Sequence, residues 1–325
     1  MSRNALAHLL MFAVVMLWGA TFVLVKEAIA DIAPQWFNAL RMLLAFGCLA
    51  LFYRREWLRL TAQAWRFGAA AGASLACGYL FQTQGLTFTT PTNSAFITAL
   101  TVVIVPILAT LPWLRPPGTK APRWTVWTGA LLALLGVALL TVSPHAQWAQ
   151  MFTAGGKESL GNLLTLFCAL GFSFYVIVLA HAAGRARFEQ LILLQIGFAA
   201  IFLTVGALLL EPPRPHALAL AILPGSPLRQ PLVEFALGVT AILSTAASFG
   251  VQTWAQEVIP AANIAVILTL EPVFAWLTAF VVLGERLEAR RGLGALLVLS
   301  GIFAAEILPR WRQRRREIKV AVACE

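Results

Sequence analysis

The sequence predicts an all-α polytopic membrane protein with ten transmembrane helices, arranged as two inverted five-helix repeats. Three observations predict it. First, 60% of the 325 residues are hydrophobic and only 12% are charged, with a mean hydropathy of +0.80. A soluble domain is about 45–50% apolar and about 25% charged, so this chain has too little polar surface to cover a body in water. Second, apolar stretches bounded by charge or Pro/Gly fall near 5–28, 36–53, 67–86, 93–113, 124–143, 160–181, 189–210, 232–255, 261–283 and 291–308. A bilayer crossing needs about 20 apolar residues, and helices satisfy their backbone polar groups within one segment. Third, residues 81–104 and 251–274 match at an offset of 170, with seven of 24 positions identical, among them Gln82/Gln252, Thr83/Thr253, Asn93/Asn263 and Leu100/Leu270. An odd number of helices per half inverts the second copy, the plan of many secondary transporters.

Taken in order, the first half covers residues 1–143. The run from Ala5 to Val25 is too long for the 7–15-residue core of a signal peptide and reads as an uncleaved first helix. On it Trp18, Thr21, Phe22 and Val25 share one face at helical spacing. Arg41 lies about five residues into the second span. It either snorkels to the outer interface or faces a cavity and meets a substrate carboxylate. Spans three and four lie within Phe67–Leu114, a segment without Asp, Glu, Lys or Arg. Pro91, Thr92, Asn93 and Ser94 form a helix-start signature, in which a side-chain oxygen caps free amides. Capping does not account for Gln82 and Gln84, which precede the turn; such amides bond to a neighbouring helix or face a wet cavity. Tyr79 shares a face with Gln82. Pro106, in span four, cannot donate to the carbonyl of Val102.

Residues 144–159 are expected to be an extracytoplasmic linker, and 160–309 the second half. His181 ends span six and reads as interfacial. Gln252 and Thr253 in span eight repeat Gln82 and Thr83, which favours a shared cavity wall. In span nine Asn263, Ile267 and Glu271 fall on one helical side. Glu271 has about ten apolar residues on either side, and a charge near the bilayer centre costs about 2.5–3.5 kcal/mol or more, so it requires a protein or water partner. Its readings are a cavity carboxylate that binds a substrate amine or a proton, or a structural carboxyl bonded to neighbouring helices. Pro272 frees the carbonyl of Leu268; with Pro106 it is a candidate hinge or a static kink. Residues 310–325 form a basic cytoplasmic tail.

Placing the N-terminus inside leaves sixteen Lys and Arg on the cytoplasmic side and seven on the other, with Arg41 within a span. The positive-inside rule then puts both termini in the cytoplasm; the cluster at 286–291 is an exception. The net charge of +10 is distributed as topology signals and lipid contacts, so nucleic acid is not expected as a partner. Cys48, Cys77, Cys168 and Cys324 have no metal-ligand spacing, and neither a P-loop nor HExxH occurs. No metal, cofactor or catalytic residue is expected, and the chain does not read as an enzyme. An intramembrane lipid enzyme would require an acid-base partner for Glu271, and none is evident.

The segments LWGATF at 17–22, ALRMLLA at 39–45, GLTFTTPTNSAFITAL at 85–100, LTLEPVFA at 268–275 and LGERL at 283–287 resemble the EamA type of the drug/metabolite transporter superfamily. The resemblance spans nearly the whole chain. It implies a multi-pass, ten-helix transporter of the bacterial inner membrane, built from two inverted EamA repeats, that exports amino acids or related metabolites by alternating access. A multidrug exporter and a non-transporting scaffold are the alternatives. One departure is that Glu271-Pro272 has no twin in the first half, where proline stands at 106 rather than 102.

The expected substrate-binding residues are Trp18, Thr21, Tyr79, Gln82, Asn93, Gln252, Asn263 and Glu271. A mixed aromatic and amide lining suits a small amphipathic metabolite. The expected partners are a small-molecule substrate and the lipid bilayer, with a homodimer left open.

Overall fold

The computed structural model describes residues 2–89, 91–141, 156–211, 228, 230–283 and 289–309. Among them the regular secondary structure is all helical, with no strand. The helices are α1 (Arg3–Asp31), α2 (Pro34–Phe52), α3 (Ala62–Leu86), α4 (Pro91–Ala99), α5 (Thr101–Thr110), α6 (Trp124–Thr141), α7 (Lys157–Ala182), α8 (Phe188–Leu210), α9 (Pro231–Val239), α10 (Ser248–Ala255), α11 (Ala261–Leu268), α12 (Glu271–Leu283) and α13 (Ala289–Ile302). A π-helical stretch, Thr240–Ala247, joins α9 to α10, and a second, Phe303–Ile307, extends α13.

Helix lies over each of the ten apolar stretches. By length and composition, six described segments are able to cross a membrane. Among the described helices α3 falls short of that composition because Gly, Ala, Ser and Gln recur along it. Packing explains this. α3 runs along α7 and α8, and its contact with α7 is the most extensive among the described helices. A Cβ at Gly72 would meet the Gln195 carbonyl oxygen at 2.7 Å, and one at Gly85 the Thr165 hydroxyl oxygen at 2.7 Å. Small residues allow backbones to approach this closely where lipid supplies no hydrophobic drive between helices.

The distribution of polarity is inverted relative to a soluble protein. Leu51, Phe52, Leu58, Leu209 and Val281 are largely exposed, whereas Gln35, Asn162, Gln195 and Gln252 are buried. An exterior this apolar suits lipid, and the buried amides need partners inside. The linker expected at 144–159 lies mostly outside the described residues, and the tail at 310–325 and LGERL from Gly284 onward lie outside them entirely.

The fourth and ninth predicted helices are broken. α4 stops at Ala99 and α5 starts at Thr101; α11 stops at Leu268 and α12 starts at Glu271. Leu100 and Leu270, matched by the sequence repeat, occupy the two breaks. Both breaks are tightened turns: Leu100 N donates to Ile97 O (3.1 Å) and Leu270 N to Ile267 O (3.1 Å). The freed carbonyls are partly satisfied by threonines, as Thr101 Oγ1 donates to Thr98 O (2.8 Å) and Thr269 Oγ1 to Val266 O (2.5 Å). Pro272 therefore stands in the first turn of a new helix, where proline is well tolerated. Pro106 lies inside α5, downstream of the break, so the first-half break forms without proline at its edge.

Two polar clusters fasten opposite ends of the bundle. At the end where α1 leads into α2, the Glu211 carboxylate beyond α8 accepts from the Gln35 and Trp36 amides (3.0 and 3.3 Å to Oε2), capping α2 from another helix. At the other end, Glu56 accepts from Arg187 (3.1 Å) and Gln190 (3.2 Å).

Candidate functional site

Helices from both halves enclose a cavity of about 210 Å³. Its lining begins near the α1–α2 end, at Ile29 and Leu86, and reaches no further toward the opposite end than Val176, Gln252 and Ala265. Beyond that limit Gln256 Nε2 donates to Val176 O (2.8 Å), and Arg3 forms an ion pair with Glu257 and lies over the Trp254 ring (5.8 Å to its centroid).

α1 contributes Trp18, Thr21 and Val25, three of the four residues that helical spacing groups on one face, and the Phe22 side chain lies outside the described residues. Trp18 Nε1 donates to the Ser244 carbonyl (2.8 Å) in the π-helical stretch. Such bulges release backbone carbonyls from the usual ladder and recur at functional sites. Thr21 Oγ1 bonds back to Leu17 O (2.9 Å) and lies 3.4 Å from Ser244 Oγ. Phe249 is the aromatic hub of the wall, with ring centroids 5.2 Å from Trp18, 6.3 Å from Tyr79 and 5.7 Å from Tyr175. α3 contributes Tyr79, Gln82 and Thr83. Asn38 Nδ2 donates to Thr83 Oγ1 (2.6 Å), which donates to Tyr79 O (2.7 Å), so α2 and α3 form one wall.

Glu271 opens α12 at the break and lines the cavity with Thr269 and Pro272. Its backbone is pressed against α1, where a Cβ on Gly19 would lie 2.7 Å from the Glu271 carbonyl oxygen.

Of the eight residues the sequence nominates, Trp18, Thr21, Tyr79, Gln82, Gln252 and Glu271 line this cavity. Asn263 is not among the residues that line it. Its place is the third residue of α11, and the break at Thr269–Leu270 removes the continuous helix face that would have aligned it with Glu271. The Asn93 side chain lies outside the described residues. Ser94, for which helix capping is the plain reading, is buried and lines the cavity.

Arg41 is the residue that sequence reasoning left undecided. Snorkelling does not occur: the side chain is 5% exposed and lines the cavity. Its guanidinium carbon is 4.2 Å from the Tyr79 ring centroid. Among the described residues, Arg41 and Glu271 are the only charged ones in the lining. Ser244 and Phe249 were missed as well, because nothing in the sequence marks where a helix widens into a π stretch. No group of three His, Cys, Asp or Glu able to hold a metal occurs among the described residues.

The model of the EamA-like transporter family matches residues 5–142 and 159–305. An uncharacterized transporter of Archaeoglobus fulgidus is 30% identical over 306 residues, covering 94% of this chain and 87% of the relative. A second uncharacterized transporter of that organism is 23% identical over 310 residues, covering 92% and 97%. A solved crystal structure has the same fold, with a TM-score of 0.72 at 19% identity over 95% of this chain and 99% of that one.

Proposed function

This chain belongs to the EamA-like transporter family, and from that premise we propose that it is a secondary transporter exporting a small organic metabolite, an amino acid or related compound first. In this reading the ten apolar stretches are ten crossings of a bacterial inner membrane. The halves 1–143 and 160–309 are inverted repeats, both termini are cytoplasmic, and the cavity alternates its access between the two sides. The metabolite is the small-molecule partner, and no cofactor takes part.

The observation that carries the reading is the cavity itself, with one acid, one base, amides and an aromatic wall, shared between helices of both halves. Helices interrupted beside a central site are a recurring transporter device, because unwound backbone and half-helix ends supply polar groups there. Its volume of about 210 Å³ is below the roughly 300–1,000 Å³ usual for drug-sized ligands, which favours a metabolite over a multidrug range. Glu271 takes the role of a carboxylate for a substrate amine or a proton, and the breaks at Leu100 and Leu270 are the flexing points.

The test is overexpression in a bacterial host with metabolomics of the medium, alongside flux into liposomes holding the purified chain. Wild type is expected to release a narrow set of metabolites. Glu271→Gln is expected to abolish or uncouple that release while membrane expression is retained. Full transport by Glu271→Gln removes the role given to Glu271. Absence of wild-type flux across a broad panel favours a scaffold.

A further inference from the structure

We infer that Arg41 is a carboxylate-binding subsite, so that the cavity selects substrates bearing an acidic group. The inference rests on the transporter reading and narrows its substrate class.

Arg41 is almost fully buried, yet its Nε has no hydrogen-bond partner. It makes no ion pair with any acidic group among the described residues, Glu271 included. What it does have is the Tyr79 ring, whose centroid lies 4.2 Å from the guanidinium carbon. That contact holds the group at the cavity wall while its Nε–H stays unpaired. A buried ion with an unpaired Nε–H and no counter-charge among the described residues carries a large desolvation cost. Arginine cannot shed its charge to escape that cost. The chemistry absent from its surroundings is a planar anion that accepts two parallel N–H bonds, which is a carboxylate.

The neighbours support this. Asn38, one turn earlier on α2, is committed to Thr83, and Thr83 to the Tyr79 carbonyl. These bonds hold the α2–α3 wall that carries Arg41, whose side chain lines the cavity. Glu271, across the same cavity on α12, supplies the opposite charge. A molecule with an acid at one end and a donor or cation at the other satisfies both, whereas a lipophilic cation is repelled by Arg41.

The experiment uses full-length protein in liposomes and matched probes that differ only at the acid: leucine with leucinamide, threonine with threoninamide and phenylalanine with phenylalaninamide. Wild type is expected to move the acids in preference to the amides by about tenfold or more, the discrimination that hydrogen bonds to a charged group provide. Arg41→Gln is expected to lower acid flux more than amide flux and so erase the preference. Arg41→Lys, which keeps the charge but loses the fork, is expected to retain part of it and guards against misfolding of the neutral variant. Equal wild-type flux of acid and amide overturns the inference while the transporter reading stands, as does an undiminished acid preference in Arg41→Gln. Preference for an inorganic phosphate probe over every acid also overturns it. Absence of wild-type flux for every probe counts against the transporter reading and takes the inference with it.

Discussion

Gly19 on α1 lies directly against the backbone of Glu271 on α12: a Cβ at Gly19 would fall 2.7 Å from the Glu271 carbonyl oxygen and 2.6 Å from the Phe274 Cβ. No real Cβ tolerates such distances from backbone, so the glycine of LWGATF sets the position of the carboxylate in LTLEPVFA.

Gly19→Ala is therefore expected to displace α12 and lower both stability and transport. Overpacking of this kind costs about 1–3 kcal/mol. A reduced melting temperature of the purified protein checks it. Gly47→Ala is the control, because nothing lies within 4 Å of a Cβ there. Equal behaviour of the two variants contradicts the contact.

Trp18→Phe keeps an aromatic ring beside Phe249 but removes the bond from Nε1 to the Ser244 carbonyl. The π-helical stretch should loosen from α1, with a stability loss of about 0.5–1.5 kcal/mol for a lost hydrogen bond. Hydrogen exchange at Thr240–Ala247 measures it: faster exchange confined to that stretch is the expected result, and unchanged protection there rules the anchoring role out.

The ion pair of Arg3 with Glu257 lies at the end of the bundle that the cavity does not reach. Arg3 is more than half exposed, and exposed pairs are worth about 0.2–1 kcal/mol. Arg3→Ala is thus expected to shift the balance toward opening at that end by no more than about fivefold. Maleimide labelling of a cysteine placed at Ala265 reports it. Faster labelling with unchanged expression is the predicted outcome, and slower labelling contradicts it.

Several of these relationships were legible in the sequence. Trp18, Thr21 and Val25 share a cavity face because helical spacing alone fixes which residues point together. Gln82 and Gln252 were nominated because amides in apolar spans need partners, and both line the cavity. Asn263 lies off that lining: the same spacing argument assumes an unbroken helix, and the turn at Thr269–Leu270 breaks it. A turn bonded three residues back instead of four differs little in local propensity, so span nine gives no sign of it beyond Pro272.

The amino-acid order by itself determined that this protein lives in a bilayer, where its apolar helices lie and which polar groups they must shelter, because hydrophobicity and helical period are local properties. Only the tertiary structure decided that Arg41 turns inward to Tyr79, that Gly19 seats Glu271, and that two helices break at Leu100 and Leu270. Those outcomes depend on which surfaces meet across more than 200 residues of chain in the case of Gly19 and Glu271, and packing of distant partners leaves no mark on either one alone.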